Sequence, residues 1–125
     1  DDGGVRRYVA IDGGMSDNIR PVLYDATYTA TLANRDPAQA SSLARCRVVG
    51  KHCESGDIIQ EHVLLPGSVG RGDILAVCTT GAYNYSMASN YNRLPRPPIV
   101  MLRGGNESYV AVRRESLEDL CRNDL

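Results

Sequence analysis

The sequence predicts a mainly β domain, a β-sandwich or Greek-key barrel carrying two short helices, and three observations point to it. Short runs rich in β-branched and aromatic residues recur along the chain. Gly, Pro and Asn separate them at short intervals, as in a sandwich or barrel. Only two stretches, both brief, suit a helix. At 125 residues and 13.6 kDa the chain is the size of one domain, and such a domain buries roughly two-thirds of its unfolded surface. Residues 1–125 are therefore expected to form a single β domain.

The elements follow in order. Arg7 to Ile11 is a strand-like run closed by Asp12-Gly13-Gly14, where glycine tolerates positive φ. From Val22 to Leu32 the even positions are Val22, Tyr24, Ala26, Tyr28, Ala30 and Leu32, and the odd ones include Asp25, Thr27, Thr29 and Thr31. This is the period-two alternation of a half-buried strand. Residues Ala33 to Ala44, with Asn34, Asp36 and Pro37, suggest a loop holding at most a helical turn. Further strands are expected at Cys46 to Val49, Ile58 to Leu65, Asp73 to Thr79, Ile99 to Arg103 and Tyr109 to Arg113. Helix is expected over Ala82 to Asn90 and over Leu117 to Asn123. In the second, Ser116 and Asp119 stand at capping-box spacing, with Asp replacing the usual Glu or Gln.

Composition narrows the function classes. A formal charge of -1 with interspersed signs lacks the basic footprint that nucleic acid or anionic lipid requires. No apolar run approaches the roughly 20 residues of a membrane span. Four cysteines, Cys46, Cys53, Cys78 and Cys121, match no small secreted scaffold and follow no signal peptide, so a reduced, cytoplasmic protein is expected. Phe and Trp are absent, and seven tyrosines carry the aromatic load. Phenols want a polar partner or solvent, which suits a domain that is half of something larger.

Two clusters carry the candidate chemistry. Arg20 and Tyr24 are four apart, a spacing that shares one face in either a helical turn or a strand. An Arg fork beside a phenol binds a carboxylate well, because two parallel charge-assisted bonds fix orientation and sign. The same spacing also fits a surface Arg beside a core Tyr. Cys53 and Glu54 are adjacent and reach one ligand only if Ser55-Gly56-Asp57 turns the chain sharply. A thiol with an ordinary pKa near 8.5 stays protonated at neutral pH and can deliver a proton, while a neighbouring carboxylate holds an ammonium. A half-buried Cys next to a solvated Glu fits as well. Cys46, His52, Cys53 and His62 are metal-ligand types, but they lack the paired spacing of a zinc site, so no metal is expected. Arg71-Gly72-Asp73 reads as a turn before a strand, and Pro95-Arg96-Pro97-Pro98 as an extended lead into one.

Taken together, several ordered segments resemble the C-terminal domain of the diaminopimelate decarboxylases, pyridoxal-phosphate enzymes with an alanine-racemase-like architecture. They are Val9-Ala10-Ile11-Asp12-Gly13-Gly14-Met15-Ser16-Asp17-Asn18, Arg20-Pro21-Val22-Leu23-Tyr24, Cys53-Glu54-Ser55-Gly56-Asp57, and Thr80-Gly81-Ala82-Tyr83 with Asn90-Tyr91-Asn92. The resemblance runs from Tyr8 to about Arg114.

The resemblance implies a two-domain homodimer whose N-terminal (β/α)₈ barrel holds pyridoxal 5'-phosphate, this chain being the substrate-recognition and dimerisation half. It implies conversion of meso-2,6-diaminopimelate to L-lysine and CO₂. Arg20 and Tyr24 would bind the distal carboxylate of the substrate, and Glu54 its distal ammonium, reaching across from the neighbouring subunit. Cys53 would be the proton donor, and Tyr83 would line cofactor and substrate. Decarboxylases of ornithine or arginine resemble a Cys-Asp pattern instead, so Glu54 with Arg20 favours diaminopimelate. The single lysine, Lys51, does not stand where the family keeps its cofactor lysine, so this chain alone is expected to be inactive. A non-catalytic assembly module, or another amino-acid decarboxylase of the same architecture, are the competing readings.

Overall fold

The computed structural model describes residues 6–125. Ten regular elements follow one another: β1 (Tyr8–Ala10), α1 (Arg20–Tyr24), β2 (Ala30–Leu32), β3 (Leu43–Val49), β4 (Ile58–Pro66), β5 (Leu75–Val77), α2 (Asn84–Met87), β6 (Ile99–Arg103), β7 (Glu107–Val112) and α3 (Leu117–Cys121). Short 3₁₀ turns occupy Pro37–Gln39 and Tyr91–Arg93. Among the described residues seven strands against three short helices make the fold mainly β, as the run-and-turn pattern predicts.

Among the described residues the strands form three separate ladders and no closed barrel. The first has the order β1-β3-β4, with β1 parallel to β3 and β3 antiparallel to β4; β2 pairs β5, and β6 pairs β7, both antiparallel. On β3 the side chains of Cys46 and Val48 point inward at period two. They meet Ile59 and Leu65 of β4 to form the core, and Val9, Ile11, Val63, Val69, Leu75 and Val77 pack around it. The β3–β4 register shifts between Cys46 and Val49, so the strand end carrying the next turn is re-aimed, as bulges do.

The region from Val22 to Leu32 corrects the sequence expectation. Its alternation describes only β2, while Arg20–Tyr24 is a helix. Pro21 sits in the first turn, where its fixed φ suits a helix and its missing N–H costs nothing; in a central strand it would break the ladder. Asp25 closes the helix in the left-handed region at φ 51°, its N–H donating to the Arg20 carbonyl. None of the residues of α1 is buried, so no packing demand imposed period two. A second correction concerns Ala82 to Asn90, where only Asn84–Met87 is helical. The capping box before α3 forms as expected: Ser116 Oγ accepts from the Asp119 N–H, and the Asp119 carboxylate accepts from the Ser116 N–H.

The core is small for the chain length. Among the described residues Leu32, Cys46, Val48, Ile59 and Leu65 are the buried apolar ones, whereas Leu23, Ile74, Leu102, Tyr109, Val110 and Leu117 are each more than half exposed. An open groove of about 1050 Å³ also runs along the outer edge of β1, between it and residues 69–75. Apolar surface on this scale marks interaction sites in stable proteins. No helix is long and apolar enough to cross a membrane among the described residues.

Candidate functional site

The site is built around one buried carboxylate. Asp57, at the end of the turn joining β3 to β4, is 3% exposed. It accepts from the Met15 N–H at 2.6 Å, from the His52 N–H at 2.8 Å and from His52 Nδ1 at 2.8 Å. The turn is closed by Gly50 N–H to the Asp57 carbonyl at 2.9 Å and by Lys51 N–H to the Gly13 carbonyl at 3.1 Å. Two glycines allow this close approach. A Cβ on Gly14 would overlap the His52 ring, and one on Gly50 would overlap the Asp57 carboxylate. A buried charge is tolerable only when several donors satisfy it, and here two backbone N–H groups and an imidazole do so. His52 Nε2, also buried, has no partner among the described residues.

Lashed at its base, the turn displays Cys53 and Glu54 to solvent. The chain does bend sharply at Ser55-Gly56, as the sequence requires for the two side chains to act together. The Glu54 carboxylate accepts from the Gly56 N–H at 3.3 Å, the Ser55 hydroxyl at 3.2 Å and the Tyr91 hydroxyl at 3.2 Å. These donors, the Gly56 N–H first, hold Glu54 below the usual carboxylate range. It is therefore an anion at neutral pH, able to face a cation. Cys53 is a free thiol, as are the other three cysteines.

The second cluster forms beside the first. α1 lies against the turn, with Val22 Cγ1 3.8 Å from where a Cβ on Gly56 would stand. The Arg20 guanidinium is bracketed by two phenol rings, 5.2 Å from the centroid of Tyr24 and 5.0 Å from that of Tyr83. Tyr24 and Tyr83 are each 59% exposed. Arg20 forms no ion pair among the described residues. Its planar fork is held by the two ring faces while its donors stay available. The Ser89 N–H donates to the Ser16 carbonyl at 3.0 Å, tying the segment that follows α2, and so the stretch carrying Tyr83, to the loop before α1. Arg20, Tyr24 and Tyr83 are thus gathered, and Cys53 and Glu54 stand on the neighbouring turn. Arg20 and Glu54 do not touch each other.

The family model of the pyridoxal-dependent decarboxylase C-terminal sheet domain matches residues 1–81. The chain belongs to this family. The matched segment of this decarboxylase sheet domain contains Arg20, Tyr24, Cys53, Glu54 and Asp57. A diaminopimelate decarboxylase of Bacillus subtilis (strain 168) is 52% identical over 123 residues, covering 98% of this chain and 27% of that protein. One from Staphylococcus aureus (strain COL) is 51% identical over 120 residues, covering 96% of this chain and 28% of the relative. The crystal structure of diaminopimelate decarboxylase from Helicobacter pylori complexed with L-lysine superposes with a TM-score of 0.82 at 38% identity, covering 94% of this chain and 28% of that one. The chain spans about a quarter of the length of the curated relatives it matches.

Two parts of this decarboxylase domain's site escaped the residue-by-residue reading. The His52–Asp57 pair gives little sequence signal, although the flanking Gly14 and Gly50 are the trace of its tight packing. Tyr91 lies 37 residues from Glu54, and only the Asn90-Tyr91-Asn92 motif hinted at it. A group of three or more His, Cys, Asp or Glu side chains able to hold a metal is absent among the described residues.

Proposed function

We propose that this domain recognises the unreactive head of meso-2,6-diaminopimelate in a decarboxylase that yields L-lysine and CO₂. The observation that carries the reading is the Arg20 guanidinium set between the exposed rings of Tyr24 and Tyr83 with its donors unpaired among the described residues, while anionic Glu54 stands on an exposed turn from which it can enter a neighbouring subunit's site. A substrate with an amino-acid group at each end leaves one end to be gripped as a zwitterion. Arg20, aided by Tyr24, binds its carboxylate through paired charge-assisted bonds. Glu54 holds its ammonium. Cys53 carries a proton at Sγ and delivers it to the carbon that has lost CO₂. The complex of the H. pylori relative with L-lysine supports this assignment, because L-lysine keeps that same zwitterionic head.

Pyridoxal 5'-phosphate supplies, when bound, the electron sink for loss of CO₂. The donor set here fits a supporting role toward it: the exposed Tyr83 ring offers a face and a hydroxyl, while the chain's one lysine, Lys51, lies on the turn between β3 and β4, away from Tyr83 in sequence and outside the family's cofactor-lysine position. The cofactor is therefore held mainly by the N-terminal barrel. The small core and the exposed apolar residues support docking onto that barrel, and the exposed Cys53-Glu54 turn supports action across a homodimer.

Two measurements test the reading. The 125-residue chain mixed with pyridoxal phosphate should produce no lysine above the free-cofactor background, and measurable production refutes the division of labour. In the full-length enzyme Arg20→Lys should cut kcat/KM for diaminopimelate by about 10²-fold, since a point charge replaces a bidentate fork. A variant matching wild type removes Arg20 from the site.

A further inference from the structure

Tyr91 stands outside the roles assigned above, yet it connects the buried and exposed halves of the site. Its ring packs on the imidazole of His52, centroids 5.7 Å apart at 34°. His52 is itself locked onto Asp57. At the other end the Tyr91 hydroxyl donates to Glu54 Oε2 at 3.2 Å. A rigid, buried pair therefore supports a ring whose hydroxyl reaches the carboxylate.

The backbone around Tyr91 gives an independent sign of purpose. Asn92 and Arg93, neither of them glycine, both sit in the left-handed region at φ 57° and φ 54°. Asn tolerates this region comparatively well, but for Arg93 it costs on the order of 1–3 kcal/mol and persists only where the surroundings hold it. Here the surroundings are explicit. Asn90 Nδ2 donates to Glu115 at 2.6 Å and to the Leu94 carbonyl at 3.1 Å, and Arg93 pairs with Asp124 at 2.6 Å. A strained loop is pinned at both ends, and the residue it offers to the site is Tyr91.

We propose that Tyr91 is a positioning and specificity residue, whose hydroxyl, seated on the His52–Asp57 pair, aims the Glu54 carboxylate at the ammonium of the substrate head. The inference rests on the role given to Glu54 above. Contact with Glu54 also pushes the Tyr91 phenol up from its ordinary pKa, so the hydroxyl keeps its proton and remains the donor. Without it Glu54 retains only the Ser55 and Gly56 donors on its other oxygen, and the carboxylate is free to rotate away. Arg20 is untouched by that loss, so carboxylate recognition survives while ammonium recognition weakens.

The test uses the full-length holoenzyme and two ligands that differ at this one point. L-lysine carries both charges of the head; 6-aminohexanoic acid keeps the carboxylate and lacks the neighbouring ammonium. Tyr91→Phe preserves the ring on His52 and removes the hydroxyl. Calorimetric titration should show L-lysine weakened about tenfold, the size of one hydrogen bond to a charged group, and 6-aminohexanoic acid changed less than about twofold. The KM for diaminopimelate should rise in step with the lysine constant. Equal weakening of both ligands, or unchanged L-lysine binding, overturns the proposal. Glu54→Gln is the control: if it leaves the preference for L-lysine intact, the role of Glu54 falls and this inference falls with it. If Glu54→Gln abolishes the preference and Tyr91→Phe does not, only the inference about Tyr91 fails.

Discussion

Replacing Glu115 with Gln weakens the clasp that holds the Tyr91 loop, through Asn90, to Arg96 in the segment leading into β6. Glu115 Oε1 accepts from Arg96 Nε at 2.9 Å and Arg96 Nη2 at 2.6 Å, and Oε2 accepts from the Arg96 N–H at 2.8 Å and Asn90 Nδ2 at 2.6 Å. All four partners are donors. A Gln amide would turn one of its own N–H groups toward them. The Arg96 guanidinium first, then the Arg96 backbone N–H, holds the Glu115 carboxyl down to about 2 from an ordinary 4.5. At about 1.36 kcal/mol per pH unit, that difference is worth about 3.4 kcal/mol at most. The side chains of Arg96 and Glu115 are 32% and 17% exposed, and solvent screening reduces the figure to roughly 1–2 kcal/mol.

The sign follows from the depressed pKa. The contribution is complete above the unfolded value near 4.5 and fades as pH falls toward 2. Urea denaturation of this chain, followed through its seven tyrosines, reads the effect. Glu115→Gln should be less stable by roughly 1–2 kcal/mol at pH 7, and the gap to wild type should narrow as pH drops below about 4.5. A gap under about 0.3 kcal/mol at pH 7, or one that widens in acid, refutes the reasoning.

Three further outcomes follow from the packing. Gly50→Ala places a methyl group on the Asp57 carboxylate, displacing the group that holds Met15 and His52, and should cost about 2–4 kcal/mol; a melting temperature equal to wild type contradicts this. Ser116→Ala removes the side-chain acceptor for the Asp119 N–H and should cost about 1 kcal/mol. Asp119→Ala keeps that bond but removes the acceptor for the Ser116 N–H and frees Arg113, bonded at 2.8 Å through Nη2, and should cost more. Equal melting temperatures for the two variants would show that the cap alone matters.

What the sequence determined by itself was local. The mainly β character, the capping box at Ser116 and Asp119, the sharp turn at Ser55-Gly56 and the shared face of Arg20 and Tyr24 depend on residues within a few positions of one another. Short-range sterics and hydrogen bonds decide such features before the chain folds up. The alternation from Val22 to Leu32 misled because period two reports on burial, and α1 buries nothing while Pro21 favours a helical first turn. Tertiary structure alone decided the site's composition. Tyr83 comes to Arg20 on a stretch that the Ser89 to Ser16 bond ties down, and the Gly14 loop meets the Cys53-Glu54 turn through Met15 and Asp57. Tyr91 reaches Glu54 across 37 residues, from a loop strained at Arg93. Each contact closes a long loop against its conformational entropy, so it depends on distant anchors whose joint effect no short window of sequence encodes.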